Sequence, residues 1–271
     1  ALYMDFDFYK IQTAGNDLIL VNFSGKAFPE SEELKEITRI LCRRDYGIGG
    51  NGFIAVKDLS INNREAFFLD PSGSFSETTT DAAICFSRFI FDSGSAGKED
   101  FNLKMNNNEH AVGIIDSYNF RLSMGYPLTV TGEKFIEHPD SEYINNIRSE
   151  GKDFPVTELY LQKNGVVVFS ENRGLDQLKV VSEDIFKSAG LSSDFRLIFA
   201  TVNSRADMEV QIRNSRGDDF ASSCAIAAAA SVVNGFLDRN ATIYHKKGEY
   251  YFQWLQPSNE IFITGSSDYV Y

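Results

Sequence analysis

Cysteine is scarce in this chain: Cys42, Cys85 and Cys224 are the only three in 271 residues. An odd and widely spaced set argues against a disulfide framework and points to a reducing compartment, the cytoplasm. Histidine is equally rare. His110, His138 and His245 share no ligand spacing with each other or with a cysteine, so the sequence predicts no metal and no cofactor. Positive charge is in deficit, with 26 Lys and Arg against 38 Asp and Glu, a net charge of −12. Nucleic acid and anionic membrane surfaces both call for a basic patch, and neither is expected as a partner. Long apolar runs are missing too. The longest small-residue run is Cys224–Val233, well short of the roughly 20 residues that cross a bilayer. Ala1–Lys10 carries two acids and no basic region, so no signal peptide is read there.

What is present suffices for a substantial core. Hydrophobic residues make up 43% of the chain and charged residues 24%, a globular composition. The length admits one large domain or two ordinary ones. No linker stands out. The richest loop composition is Asp92–Lys98, followed by Asn106–Asn108, and a second candidate break is the polar stretch 131–154.

The patterning is strand-rich. Phe6 and Phe8 alternate with polar neighbours, Leu18–Phe23 is mostly apolar, and the turn-like Thr13–Asp17 between them predicts a hairpin. Ser31–Arg44 predicts a helix, with Ser31 as its cap, Glu32 and Glu33 in the first turn, Arg43 and Arg44 in the last, and an apolar stripe of Leu34, Ile37, Ile40 and Leu41. Strands are expected at 53–56, 66–69, 103–105, 112–115 and 120–124, and a buried helix at 82–91. The second half repeats this grammar. Strands at 159–161 and 166–169 flank Lys163–Gly165, and a helix follows at 183–189. Strands come next at 196–202 and 208–212, then a loop at 214–223, a buried helix at 225–236, and strands at 242–245, 250–254 and 261–264.

Each half thus carries a strand, a glycine-containing loop (Pro71–Ser74; Ser215–Asp218) and a helix of small residues. Thr79 placed over Cys224 aligns the two helices without a gap. A helix with almost no polar face needs strands on most sides. The expected fold is α/β (α+β), with two pseudo-symmetric halves, each a curled, mostly antiparallel sheet around a central buried helix. The halves are residues 1–117, completed by a last strand at about 262–271, and residues 118–261.

Gly47–Gly52 matches the glycine string of dinucleotide-binding loops, but a helix precedes it and a strand follows, the reverse of that fingerprint. A helix-to-strand turn explains it. Cys42 and Cys85 read as core thiols. Cys224 follows a polar loop containing Arg216 and is expected at a helix start, where the dipole and a cation favour thiolate. It reads as either a reactive thiol or a buried helix residue. Asp70, Glu77, Asp81, Asp218 and Asp219 cluster around the same loops, as acid–base candidates or as helix caps facing water.

These strings together resemble the diaminopimelate epimerase family, cofactor-independent amino-acid epimerases of lysine and peptidoglycan synthesis. Phe8–Asp17 resembles the family's opening, and Leu41–Phe53 its next segment. Phe67–Ser74 running on to Ala83–Phe89 resembles the first active-site segment, Ser215–Gly217 up to Cys224 the second, and Ile261–Val270 the closing strands. The resemblance covers nearly the whole chain. It implies a site in the cleft between two halves. There one cysteine thiolate removes the α-proton, a second thiol reprotonates the opposite face, and two helix N-termini hold the substrate carboxylate.

The chain departs from that pattern at the site. Cys224 matches the second cysteine, but the first falls on Thr79, whose hydroxyl is too weak an acid to serve. The family's C-G-N-G becomes Thr79–Ala82 and its C-G-T-G becomes Cys224–Ala227. Ala225 and Ile226 thereby bring side chains to a ligand's approach, and Asp81 brings negative charge where a carboxylate would dock. Asn16 and Arg216 persist. Asp70 replaces an asparagine, Ser215 a glutamate, and no histidine stands near Gln162–Gly165 where the family has G-N-P-H. The resemblance therefore predicts an epimerase-like protein that is not an active two-cysteine epimerase, but a non-catalytic scaffold or binding relative. The alternative is an isomerase, an amino-acid racemase or a tautomerase, that pairs Cys224 with Asp70, Asp81 or Asp219. The partners this leaves are a small amino-acid-like ligand or none, a second copy of the chain, or an active paralogue.

Overall fold

A computed structural model of the chain describes residues 7–77, 80–97, 99–135, 143–149, 151–170, 182, 183, 185, 195–213 and 219–270. They form two compact units. The first draws its described residues from Ala1–Leu122, Arg216–Asp219 and Thr264–Tyr271, and the second from Ser123–Ser215 and Phe220–Ile263.

The first unit opens on the expected hairpin. β1 (Phe8–Thr13) and β2 (Asn16–Asn22) pair antiparallel, and Ala14 and Gly15 turn the chain with φ of 44° and 77°. Helix α1 (Ser31–Leu41) crosses over to β3 (Phe53–Leu59), which lies parallel to β2. β4 (Arg64–Leu69) returns antiparallel. Helix α2 (Thr80–Asp92) crosses over to β5 (Phe101–Met105), parallel to β4. β6 (Asn108–Ile114) and β7 (Asn119–Gly125) follow as meander strands.

The second unit holds β8 (Asn145–Ser149), β9 (Lys152–Leu161) and β10 (Lys163–Phe169), then β11 (Arg196–Ser204) parallel to β10, and β12 (Asp207–Arg213). Helix α3 (Phe220–Val233) crosses over to β13 (Asn240–His245), parallel to β12, before β14 (Gly248–Leu255) and β15 (Glu260–Ser266). β16 (Asp268–Tyr269) returns to pair with β1. The strand orders are β16-β1-β2-β3-β4-β5-β6-β7 and β8-β9-β10-β11-β12-β13-β14-β15. Parallel pairs fall at the same two places in each order, so the two-fold repeat is one of topology as well as composition. The fold is the α+β arrangement of curled sheets around central helices.

The central helices are apolar for the expected reason. In α3 every residue from Phe220 to Ser231 is buried, and strands β9 to β14 all touch it. Alanines allow this, because six strands can close on a helix only where its side chains are short.

Several sequence expectations shift. The N-cap of α1 is Glu30 rather than Ser31, and the helix stops at Leu41, before Arg43 and Arg44. Those arginines instead bond carboxylates, Arg43 to Asp45 and Arg44 to Asp17. Ile40 is exposed and Thr38 takes its place on the buried face, because 34, 37 and 38 share one side of the helix. The stretch 131–154 contains β8 and the start of β9. Asn145–Ser149 is polar because β8 is an edge strand, which needs few apolar positions. Lys163 begins β10, and the turn before it rests on Gln162 at φ 58°. The helix expected at 183–189 lies mostly outside the described residues.

Candidate functional site

Gly47–Gly52 does connect a helix to a strand, α1 to β3. That placement presents Asn51 to the first residue of β2, Asn16. Asn51 Nδ2 donates to Asn16 Oδ1 at 3.0 Å, and Asn16 Nδ2 donates to Asp81 Oδ2 at 2.9 Å, in the first turn of α2. Arg44 extends the chain of contacts. Its Nη2 donates to Asn51 Oδ1 at 3.0 Å and to Asp17 Oδ1 at 2.6 Å, and Asp17 also pairs with the buried Lys10 at 2.9 Å. Burial raises the Asp17 carboxyl, but the hydrogen bonds from Arg44 and Lys10 outweigh it and hold the group below its ordinary value. Asn16 and Asp81 are thus brought together, each buried and each serving the other.

Asp219 stands at the same end of α2. Its Oδ2 accepts the Thr80 N–H at 3.0 Å, and both residues are buried. His110 of β6 is buried nearby. Loss of solvent pushes its imidazole down to about 4, with the Asp219 charge opposing. Histidine spacing gives no sign of His110. Only its place on β6, where His110 and Val112 are both buried two residues apart, reveals it. Among the described residues no group of three or more His, Cys, Asp or Glu is placed to hold a metal ion.

Asp70 sits apart. It follows the last residue of β4 and binds its own turn, its Oδ1 accepting from Ser72 N at 2.8 Å, Ser72 Oγ at 2.5 Å and Ser74 N at 3.2 Å. That is a turn-forming role. Thr79 and Arg216 lie outside the described residues.

In the second unit Cys224 is not at a helix start. Asp219 precedes α3, Phe220 opens it, and Cys224 falls in its second turn because Phe220–Ser223 are helix-compatible small or apolar residues. Cys224, Ala225 and Ile226 have no exposed surface. Ile226 packs against Gly165 of β10. One residue before Cys224, the Ser223 hydroxyl accepts from Nη1 of buried Arg196 at 2.8 Å, a contact no motif announced.

No family model matches the chain. Full-length relatives do. A diaminopimelate epimerase of Desulfitobacterium hafniense is 24% identical, over 97% of this chain and 95% of its own length. Over nearly its whole length the chain is similar to diaminopimelate epimerases. Curated relatives from other bacteria bear the same name at similar identity. Among solved structures, a probable proline racemase of Agrobacterium radiobacter matches with a TM-score of 0.67 at 11% identity, covering 97% of this chain and 91% of that one. A phenazine biosynthesis PhzF-family protein of Bacillus anthracis matches at 0.65 and 13%, covering 99% and 98%. At such identities the shared property is the fold. The chain shares their fold, and its site residues are judged on their own chemistry.

Proposed function

We propose that this epimerase-like chain is a non-catalytic relative, kept as a scaffold that binds a small amino-acid-like ligand or a protein partner. The observation that carries the reading is the placement of Cys224. Proton transfer needs the sulfur within hydrogen-bond reach of a substrate carbon acid, and Cys224 is wholly enclosed in the second turn of an alanine helix. Thr79 at the other cysteine's place supports the same conclusion, since two-base inversion needs a second proton carrier. The contacts of Asn16 with Asp81 and of the Thr80 N–H with Asp219, both made within the chain, add further support.

A second reading, an isomerase pairing Cys224 with a carboxylate, draws on the buried carboxylates Asp81 and Asp219. The deciding experiment is α-proton exchange in D₂O with diaminopimelate and a panel of amino acids, followed by NMR beside an active epimerase. The scaffold reading expects no loss of α-proton signal. Exchange that disappears in Cys224→Ala would establish the isomerase instead.

A further inference from the structure

A helix N-terminus leaves N–H groups without partners inside the helix, and the aligned peptide dipoles make it attractive to anions. At α2 that place is taken. Asp219 is 139 residues from Thr80 in sequence, yet its carboxylate accepts the Thr80 N–H at 3.0 Å. Thr80 has no exposed surface and Asp219 only 3%, so water does not share the contact. The Thr80 hydroxyl is buried at the same point with no hydrogen-bond partner. It is a polar group left over beside an anion, where a further oxygen would find a donor. The other carboxylate of this turn, Asp81, is engaged sideways by Asn16.

We infer that Asp219 is a built-in ligand: its carboxylate fills, from within the chain, the anion site that the start of α2 would otherwise offer to a small external carboxylate. This deepens the non-catalytic reading by naming what closes the α2 end. The fit is chemical. A side-chain carboxylate presents the same two oxygens and the same charge as a ligand's carboxylate. Being tethered, it meets the helix N–H without the entropy loss of a free ligand.

The test uses the intact protein, formate as probe and two variants. Wild-type stability, from urea unfolding, is expected to respond to sodium formate no differently from sodium chloride. Asp219→Ala is expected to be less stable and to recover specifically in formate. Where about 100 mM formate is roughly tenfold above its dissociation constant, the folding constant rises about tenfold. Asp219→Asn keeps the volume and an acceptor oxygen, and is expected to show no formate response. A wild-type gain equal to that of Asp219→Ala, or no formate-specific gain in Asp219→Ala, overturns the inference. Should Asp219→Ala fail to fold, the Thr80 amide NMR signal decides. It is expected to move in Asp219→Asn and to ignore formate in the wild type, and a wild-type Thr80 signal that shifts with formate overturns the inference. Neither readout involves α-proton exchange. Exchange activity together with formate rescue confined to Asp219→Ala would therefore sink the scaffold reading and leave the built-in ligand standing.

Discussion

A Cβ placed on Gly165 would lie 2.5 Å from Cγ2 of Ile226. β10 therefore passes α3 at a distance that only glycine permits, at the residue where the epimerase pattern has a threonine. The isoleucine and the glycine are one fitted pair, filling space with the chain's own atoms.

Gly165→Ala is accordingly expected to cost about 1–3 kcal/mol from overpacking. Ile226→Ala in the same chain should relieve most of that strain, so the double variant loses less than the two single variants added together. Urea midpoints of the four proteins measure the coupling. A Gly165→Ala protein as stable as the wild type would show that the contact is absent.

Buried His110 makes stability depend on pH. Burial holds its folded value at about 4, against 6.5 ordinarily. Between those values the unfolded chain binds more protons than the folded one. The contribution is therefore complete above 6.5 and is lost as pH falls towards 4. At about 1.4 kcal/mol per unit the loss is on the order of 3 kcal/mol. His245 adds to the trend in the same direction, lowered first by burial and then by Lys247. The measurement is urea unfolding of wild type and His110→Gln from pH 7.5 to 4.5. The gap between the two proteins is expected to change in the variant's favour as pH falls, and a constant gap refutes it.

All three thiols are buried. Burial pushes Cys42 up to about 12 and Cys85 further still, and Cys224 has no exposed surface. A disulfide-exchange reagent at pH 8 is expected to find no fast thiol in the native protein and three after unfolding, with labelling that follows the opening of the fold. One fast thiol that disappears in Cys224→Ser would place the Cys224 sulfur at the surface and revive a catalytic role for it.

Much of the fold was legible because it rests on local rules. Alternation and turn residues announced the β1–β2 hairpin. The small-residue runs announced α2 and α3 as wrapped helices, since no other environment suits a helix without a polar face. Errors fell where tertiary context overrides local preference. The α1 cap moved by one residue, and edge strand β8 appeared in a polar stretch. Cys224 moved from helix start to second turn, because Phe220–Ser223 continue the helix upstream of it.

The site divides in the same way. Sequence alone determined that a threonine stands at residue 79, that glycines of the family pattern are replaced at 80, 82, 225 and 227, and that acids gather near both central helices, because residue identity needs no folding. Only the tertiary structure decided which acid serves which donor. Asp70 turned to its own loop, Asp81 to Asn16, and Asp219 to the N–H of Thr80. Such pairings join residues 65 and 139 positions apart. No spacing rule reaches that far, because the contacts exist only after the β4–α2–β5 crossover has brought a helix end and a distant loop to one buried point.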